Sequence, residues 1–377
     1  MILYLSNGHG EDEIGGRIHD ALGLPAQAWA MVGEGNAWRR RGVPLIGPPN
    51  LLPSEGFATL SLRHFLRDLR HGFLPTYARQ VRFARALSGF RLLVAVGDVV
   101  PLAAGLLSRL PTAFVSTAKS AWYGGRTGRG TGHDRLDHAL MRRAVAVFPR
   151  DALTAARLAA AGVPCADRGN PMMDALAPRD PAALCPPGET AVVLLPGSRG
   201  DAADNARLLL EAAARLPGIR ALVAATAALT PARAIPPDWT PAAWDAPLPG
   251  AAHVALRHRG GARALIVTDR FADCLHAARL AIGMAGTANE QAVGLGLPLI
   301  AVPGQGNQGP AFTAVKARYF GPAAVTAPRD PDMIAAAAAR LLADPEARAR
   351  MAAAGRARMG PPGAAAAIAA DLRALAA

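Results

Sequence analysis

The feature that most constrains this chain is the alternation of short apolar runs with longer segments of helical periodicity. Such alternation predicts parallel β-sheets covered by helices on both faces, which is an α/β fold. At 377 residues the chain is too long for one ordinary core, so we expect two doubly wound domains. The candidate strands are 2–5, 28–32, 43–47, 92–96, 113–116, 144–148, 191–195, 221–225, 264–267, 280–284 and 298–302.

Proline-rich segments suggest where the domains divide. The segment 175–190 (ALAPRDPAALCPPGET) lacks sustained periodicity and predicts a linker between an N-terminal domain, 1–174, and a C-terminal domain, 191–360. A second proline-rich stretch, 230–250, predicts a surface excursion. The tail from 331 onward predicts two or three alanine-rich helices, broken near the sequence GPPG at 360–363.

Composition limits the partners and the compartment. The net charge of +13 predicts attraction to an anionic partner such as nucleic acid, acidic lipid or phosphate. Three isolated cysteines predict a reducing, cytoplasmic location without a disulfide framework. The N-terminal residues lack the features of a signal peptide, and the longest apolar run, 92–107, falls short of a membrane span. We therefore expect any membrane contact to be peripheral.

The segment 61–90 is the most basic part of the chain and mixes arginine with Leu, Phe and Tyr at helical spacing. It predicts either a pair of amphipathic helices on an anionic bilayer or a solvated helix face packed on its own domain. In the first case Arg63, Arg67 and Arg70 would contact lipid. The segment carries no recognisable nucleic-acid-binding motif, which argues against nucleic acid as the partner.

Ligands of open parallel sheets bind beyond the carboxyl ends of the strands, and three loops of the first half carry reactive side chains there. SNGHGED (6–12) supplies His9, Glu11 and Asp12, of which a histidine suits proton transfer at neutral pH. Asp98 ends another strand, where it can act as a base or cap the next helix. Lys119 and Trp122 follow a third strand, and the lysine can meet an anionic group or lie on the surface.

Three loops of the second half suit a nucleotide-sugar. In PGSRG (196–200), Gly197 permits close backbone approach, Ser198 can donate to a phosphate oxygen and Arg199 can neutralise its charge. In GMAGTANEQ (283–291), Glu290 and Gln291 can accept hydrogen bonds from a ribose, and Glu290 also complements a helix dipole. Gln305, in VPGQGNQG, suits sugar hydroxyls. Each loop taken alone also fits an ordinary turn with a helix cap.

Taken together, these stretches resemble one known family. VSTAKSAW (115–122), VFPRD (147–151), RGNPMMD (168–174), LLPGSRG (194–200) and GMAGTANE (283–290) occur in the order found in lipid-A-disaccharide synthases, and the chain looks like the "lipid-A-disaccharide synthase-related" branch over nearly its full length. The resemblance implies a GT-B fold, with two Rossmann-like domains facing a central cleft. It also implies metal-independent, inverting sugar transfer with no cofactor beyond the nucleotide-sugar substrate.

The resemblance assigns roles to the two domains. A UDP-sugar would bind the C-terminal domain, and a lipid-linked acceptor the N-terminal domain, to which the last helix, about 361–377, would return. The residues implied at the donor are Gly197, Ser198, Arg199, Met284, Gly286, Thr287 and Ala288. Asp98 matches a candidate base. The first loop departs from the family pattern, so the base stays open between Asp98 and His9. Gln291 aligns with a ribose-binding glutamate, so the ribose contact stays open between Glu290 and Gln291.

We therefore expect an inverting glycosyltransferase that moves a sugar from a nucleotide diphosphate to a lipid acceptor at the inner face of the cell membrane. The altered first loop favours a polar lipid other than lipid A. A sugar-nucleotide 2-epimerase of the same fold and a non-catalytic peripheral membrane protein are the alternatives. Dinucleotide-dependent redox chemistry is disfavoured, because no Gly-x-Gly-x-x-Gly fingerprint follows the first strand.

Overall fold

The computed structural model describes residues 1–48, 73–124, 132–174, 176–198, 200–226, 229–305 and 308–377. The chain divides into two compact units, of which the first comprises Met1–Asp174 with Pro361–Ala377 and the second Ala175–Gly360. Each unit holds its own sheet of mainly parallel strands, covered by helices. The predicted α/β class with two doubly wound domains is confirmed.

The first unit alternates strands and helices. In chain order its elements are β1 (Ile2–Ser6), α1 (His9–Leu22), β2 (Ala26–Ala30), α2 (Asn36–Arg40), α3 (Phe73–Ala86), β3 (Leu92–Gly97), α4 (Val99–Leu107), β4 (Thr112–Ser116), α5 (Arg135–Met141), β5 (Ala146–Pro149) and α6 (Ala152–Ala160). Short 3-10 turns lie at Ala121–Tyr123 and Pro171–Met173. All five strands are parallel, in the order β2-β1-β3-β4-β5.

The strand predicted at 43–47 is wrong. Only one isolated bridge forms there, between Leu45 and Ala28. Pro44 has no amide hydrogen to donate to a ladder, which disfavours a longer strand at this edge of the sheet.

The second unit carries a larger sheet. Its elements are β6 (Thr190–Leu195), α7 (Ala202–Ala213), β7 (Ile219–Ala224), α8 (Pro231–Ala234), β8 (Trp239–Ala242), β9 (His253–His258), β10 (Arg263–Val267), α9 (Phe271–Ala277), β11 (Ala278–Gly283), α10 (Thr287–Gly294), β12 (Leu299–Ala301), α11 (Pro310–Phe320), β13 (Ala324–Thr326), α12 (Pro331–Ala343) and α13 (Pro345–Met359). The strand order is β13-β12-β11-β6-β7-β10-β9-β8.

Two features of this sheet differ from the sequence prediction. β8 and β9 are antiparallel, so the sheet is mixed rather than wholly parallel. The stretch 230–250 is mostly exposed, as expected of a surface excursion, but it also contains α8 and β8, which the sequence did not predict. Pro241 is tolerated in β8 because this strand is at the edge of the sheet, where one row of amides needs no partner.

The last helix, α14 (Ala364–Ala376), belongs to the first unit. Its apolar side chains Ile368 and Leu372 share a buried cluster with Ile14 and Ile18 of α1. Asp174 fixes its start, because its carboxylate accepts hydrogen bonds from the amides of Gly363 and Ala365. No helix in the part of the chain that the structure describes is both long and apolar enough to cross a membrane.

The strand order reverses beside the first strand of each sheet. β1 lies between β2 and β3, and β6 lies between β7 and β11. The connections on either side of these strands run to opposite faces, which opens a crevice at the carboxyl ends. The loops that follow β1, β3, β6 and β11 are therefore the places where ligands of such a sheet bind, and they include the loops that the sequence singles out.

Candidate functional site

Asn7 and Asp98 span the crevice of the first unit. β1 and β3 are paired with Ser6 beside Val96, so the two residues follow neighbouring strands. Asn7 Nδ2 donates to Asp98 Oδ1 at 2.7 Å, and the amide of Val100 donates to the same oxygen at 2.8 Å. Asp98 thus caps α4 through Oδ1, while its Oδ2 accepts no hydrogen bond from any described residue. Both sequence interpretations, helix cap and available carboxylate, fit this geometry.

Glu11 is the second carboxylate of this crevice. Its half-buried side chain accepts a hydrogen bond from Thr117 Oγ1 at 3.4 Å. Burial raises the pKa of Glu11, and the nearby charge of Asp98 raises it further. Burial likewise raises the pKa of Asp98, against the opposing effects of its two hydrogen bonds and of Lys119. The crevice therefore holds two carboxyl groups whose pKa values are raised above their ordinary values, chiefly by burial.

Gly97 is required for this arrangement. Its φ is +133°, a conformation that side chains rarely adopt. A Cβ at this position would also overlap Asn7 Oδ1 and lie 3.3 Å from Glu11 Cγ. The glycine before Asp98 therefore lets the two strand-end loops approach each other.

The other two candidates from the first loop lie apart from this pair. His9 is exposed at the first residue of α1. Asp12 is fully buried, and its Oδ1 accepts hydrogen bonds from Ser6 Oγ at 2.5 Å and from Trp38 Nε1 at 3.2 Å. Because successive helical residues point about 100° apart, Glu11 faces the crevice while Asp12 faces the core. The structure thus brings together Glu11 and Asp98 and gives Asp12 a core position.

Lys119 is held in an ion pair. Its Nζ pairs with the buried carboxylate of Asp137 and lies 3.6 Å from Asp134, and these two residues form the capping box of α5. The lysine thus compensates a charge of its own unit and acts on Asp98 only at longer range. Trp122 is half-buried in the 3-10 turn that follows.

The basic segment is described only in part, since Arg63, Arg67 and Arg70 lie outside the described residues. In α3, Gln80 is buried and donates to the carbonyl of Met31 at 3.2 Å. The ring of Phe83 packs edge-on against Trp29, with centroids 4.9 Å apart. The described half of the segment is thus a helix packed on its domain with arginines on its exposed face, which agrees with the second sequence interpretation.

In the second unit, three strand-end loops meet at one edge. The amide of Met284 donates to the carbonyl of Leu195, and that of Val302 to the carbonyl of Gly283, both at 2.9 Å. Gly197 has φ +93°, so the turn after β6 depends on glycine, and Ser198 is exposed beside it. Arg199 lies outside the described residues.

Three helices begin at this edge without a side-chain cap. They are α7, α10 and α11, whose N-cap residues Asp201, Gly286 and Gly309 provide no side-chain acceptor to the first-turn amides. In α10, Thr287 is exposed and Ala288 half-buried. First-turn amides without a capping side chain, together with the positive end of the helix dipole, favour an anionic ligand.

The remaining donor-side candidates differ in exposure. Gln305 is exposed, and its amide donates to Asp201 Oδ2 at 3.4 Å. Met284, Glu290 and Gln291 are buried. Glu290 Oε1 accepts a hydrogen bond from Lys316 Nζ at 2.5 Å, an ion pair in which the glutamate is 2% exposed. Gln305 and Thr287 therefore face solvent at this edge, whereas Glu290 is part of a buried ion pair.

Sequence reasoning missed two residues that fasten these loops together. Arg329 Nη1 donates to Asn205 Oδ1 and to the carbonyl of Pro303, both at 3.0 Å. Asn205 Nδ2 in turn donates to the carbonyl of Pro196 at 3.0 Å. The loops after β6 and β12 are thus tied through one cation. A single arginine gives no signal in an arginine-rich sequence, so only the fold reveals this contact.

The described ranges contain no group of three or more His, Cys, Asp or Glu side chains placed to hold a metal ion.

Comparison with known proteins identifies the fold. No protein-family model and no curated protein matches the sequence. Among solved structures, Acinetobacter baumannii MurG is similar with a TM-score of 0.62 at 14% identity, covering 99% of both chains. A putative UDP-N-acetylglucosamine 2-epimerase from Listeria monocytogenes gives 0.59 at 14% identity, covering 99% of this chain and 96% of that one. CalG4, the calicheamicin glycosyltransferase, gives 0.59 at 16% identity, covering 99% and 97%.

These neighbours confirm the predicted GT-B architecture, which glycosyltransferases and 2-epimerases share. They do not single out the lipid-A-disaccharide synthases among the proteins of this fold.

Proposed function

We propose that this GT-B chain is an inverting glycosyltransferase that uses a UDP-sugar and a lipid-linked or other polar lipid acceptor. The observation that carries the proposal is the edge of the second sheet where α7, α10 and α11 begin without side-chain caps, beside the exposed Ser198. Amides and helix ends so arranged suit a diphosphate. One structural neighbour is named for an action on UDP-N-acetylglucosamine, which supports a UDP-sugar as the donor.

The proposed reaction needs a base and a stabilised leaving group. The acceptor hydroxyl oxygen forms a bond to the anomeric carbon while the bond from that carbon to the diphosphate oxygen breaks. The hydroxyl proton passes to a carboxylate, and UDP leaves with increased negative charge. Asp98 suits the role of base because its Oδ2 accepts no hydrogen bond from a described residue and because burial raises its pKa.

Glu11 adds a second proton site in the same crevice. The charge of Asp98 raises the pKa of Glu11, so ionisation of Asp98 disfavours ionisation of Glu11. His9, exposed at the same loop, is the alternative base. On the donor side, the amides at Gly286 and Thr287 and the hydroxyl of Ser198 would stabilise the departing diphosphate.

The acceptor and the location are inferred from charge. The net charge of +13 and the arginines of the 61–90 segment favour an anionic bilayer, with each basic residue near the surface contributing about 1 kcal/mol. We therefore place the reaction at the inner face of the cell membrane, with the protein attached peripherally. No metal and no additional cofactor is part of this proposal.

A donor-binding experiment tests the proposal first. UDP, GDP, ADP and NAD are titrated calorimetrically into the wild type and into Gly286→Asp and Gly286→Ser. Gly286 has φ −87°, outside the left-handed region, so the φ angle at this position does not require glycine and both Asp and Ser can adopt it. We expect selective UDP binding that Gly286→Asp abolishes by placing a carboxylate at the helix end, whereas Gly286→Ser retains it. Absence of binding to every nucleotide would refute the donor assignment.

Turnover then tests the base. UDP release from UDP-sugars, with a polar lipid extract as acceptor, is compared for wild type, Asp98→Asn and Asp344→Asn. Both aspartates cap helices, and asparagine caps almost equally well, so stability is matched. Loss of a general base lowers kcat by about 10²–10⁴-fold, which we expect for Asp98→Asn only. Unchanged turnover in Asp98→Asn would exclude Asp98 and direct the same test to Glu11 and His9.

The 2-epimerase of the same fold is the second candidate, favoured by the TM-score of 0.59 to such an enzyme. An epimerase needs no acceptor. Conversion of a UDP-sugar to its C2 epimer in a lipid-free reaction would establish it in place of the transferase.

A further inference from the structure

A cavity lies at the amino ends of β6, β7 and β10 in the second unit. Its volume is about 380 Å³, and it is lined by Glu189 and by the segments 214–220 and 260–263. Each strand of six residues is about 17 Å long at a rise of about 3.3 Å per residue. The cavity is therefore a strand length away from the carboxyl-end loops and is separate from the proposed donor site.

Three of the lining residues are arginines: Arg215, Arg220 and Arg263. The only acidic lining residue is Glu189, whose carboxylate accepts from Nε and Nη2 of Arg220. The charge of the glutamate is thus compensated within the cavity wall, and arginines outnumber carboxylates among the lining residues.

The deepest arginine keeps an unused donor. Arg220 is 3% exposed, and its Nη2 also donates to Asp245 Oδ2 at 2.6 Å. Its Nη1 is buried without a hydrogen-bond partner among the described residues. A buried N–H group without an acceptor is costly, so an acceptor within reach of this atom would be favourable.

The other two arginines also have N–H groups without a described acceptor. Arg263 uses only Nη2, which donates to Asp245 Oδ1 at 2.5 Å, and leaves Nε and Nη1 without a described acceptor. Arg215 donates from Nε to Asp332 Oδ1 and from Nη1 to the carbonyl of Glu211, both at 2.5 Å. Its Nη2 has no described acceptor. Neither Asp245 nor Asp332 lines the cavity. Arg215 and Arg263 are thus fixed by residues outside the cavity lining.

Trp244 helps to position two of these groups. The guanidinium carbons of Arg220 and Arg263 lie 4.9 Å and 5.6 Å from the centroid of its ring. Asp245 bridges the same two arginines, and their hydrogen bonds lower its pKa to about 2, Arg263 contributing the larger part. The two guanidinium groups are therefore held in place before any ligand arrives, which reduces the ordering cost of binding.

We propose that this cavity is a binding site for the phosphate group of a small molecule, distinct from the substrate site. Guanidinium groups match the oxygens of phosphate with parallel N–H donors, and each of the three arginines that line the cavity keeps N–H groups that its carboxylate partners do not use. The ligand class is a phosphorylated metabolite or free phosphate. Its occupancy would stabilise the amino ends of β6, β7 and β10 in the second unit.

Calorimetric titration of inorganic phosphate, at low and constant ionic strength, tests the proposal on the full chain. The variants are Arg263→Gln, Arg215→Gln and, as a control with the same change of charge, Arg350→Gln, an exposed residue of α13 that pairs with Glu346. Arg220→Gln is avoided, because it would leave Glu189 and Asp245 without their shared partner. Thermal unfolding of each variant verifies that it is folded.

We expect one saturable site whose affinity falls about tenfold or more in Arg263→Gln and Arg215→Gln, and by less than about twofold in Arg350→Gln. Gly286→Asp, which blocks the proposed donor site, should leave this binding intact. Absence of saturable binding, an equal loss in Arg350→Gln, or loss in Gly286→Asp would overturn the proposal. Equal binding of acetate would overturn the phosphate assignment, and stronger phosphate binding would support it.

Discussion

Replacement of Asp12 tests whether this residue stabilises the fold or takes part in catalysis. Its carboxylate is fully buried and accepts hydrogen bonds from Ser6 Oγ and Trp38 Nε1. Asp12→Ala leaves the hydroxyl of Ser6 without an acceptor, whereas Trp38 Nε1 keeps Ser6 Oγ as an acceptor at 3.1 Å, so we expect a loss of about 1–3 kcal/mol. Asp12→Asn keeps an acceptor oxygen and should lose less than half as much. The surface variant Asp20→Ala, on the same helix, should lose no more than about 1 kcal/mol.

The pH dependence gives a second readout. Burial raises the pKa of Asp12 above its ordinary value of 3.8, so the folded chain binds this proton more tightly than the unfolded chain. The resulting contribution makes stability fall as pH rises from the ordinary pKa to the native one, and Asp12→Asn removes that slope. Urea unfolding between pH 4 and pH 8, followed by tryptophan fluorescence and circular dichroism, measures both effects. Equal stability of Asp12→Ala and Asp12→Asn would refute the structural role, as would a kcat loss in a stable Asp12→Asn.

Two further substitutions probe the packing of the second unit. Gly355→Ala should lower the free energy of unfolding, measured by chemical denaturation, by about 1–3 kcal/mol. The new Cβ would overlap the carbonyl oxygen of Val293, a backbone atom that cannot rotate away. A gain in stability, as helix propensity alone would give, would contradict this. Lys316→Met should lower the free energy of unfolding by about 3 kcal/mol, because it removes the cation paired with the buried Glu290. The double variant with Glu290→Gln should recover part of that loss. An unchanged Tm in Lys316→Met would show that this ion pair contributes nothing to stability.

Much of the fold follows from local sequence. Strands buried on both faces need continuous apolar runs, which is why ILYL and LLVAV reveal β1 and β3 directly. Edge strands lack that requirement. β8 (Trp239–Ala242) shows three exposed residues and a proline, so its sequence carries no strand signal and only its pairing with β9 defines it. The short β13 was missed for the same reason, since it has no fully buried residue.

The candidate site divides in the same way. A polar or glycine-rich stretch directly after an apolar run is visible in the sequence, so the loops at Asn7, Asp98 and Gly197 could be located without a structure. Whether two such loops meet depends on strand order, which brings Asn7 within 2.7 Å of a residue 91 positions away. Adjacent residues of one loop, Glu11 and Asp12, were indistinguishable by composition, and helix geometry directs one to the crevice and the other to the core.

The sequence by itself therefore determined the fold class, most of the strands and the loops at which chemistry can occur. It did so because those features depend on the burial of neighbouring residues along the chain. Only the tertiary structure decided the proximity of Glu11 to Asp98, the ion pair of Lys119 with Asp137 and the arginine-lined cavity around Arg220. Each of these joins side chains from segments that become neighbours only when the strands have found their order in the sheet.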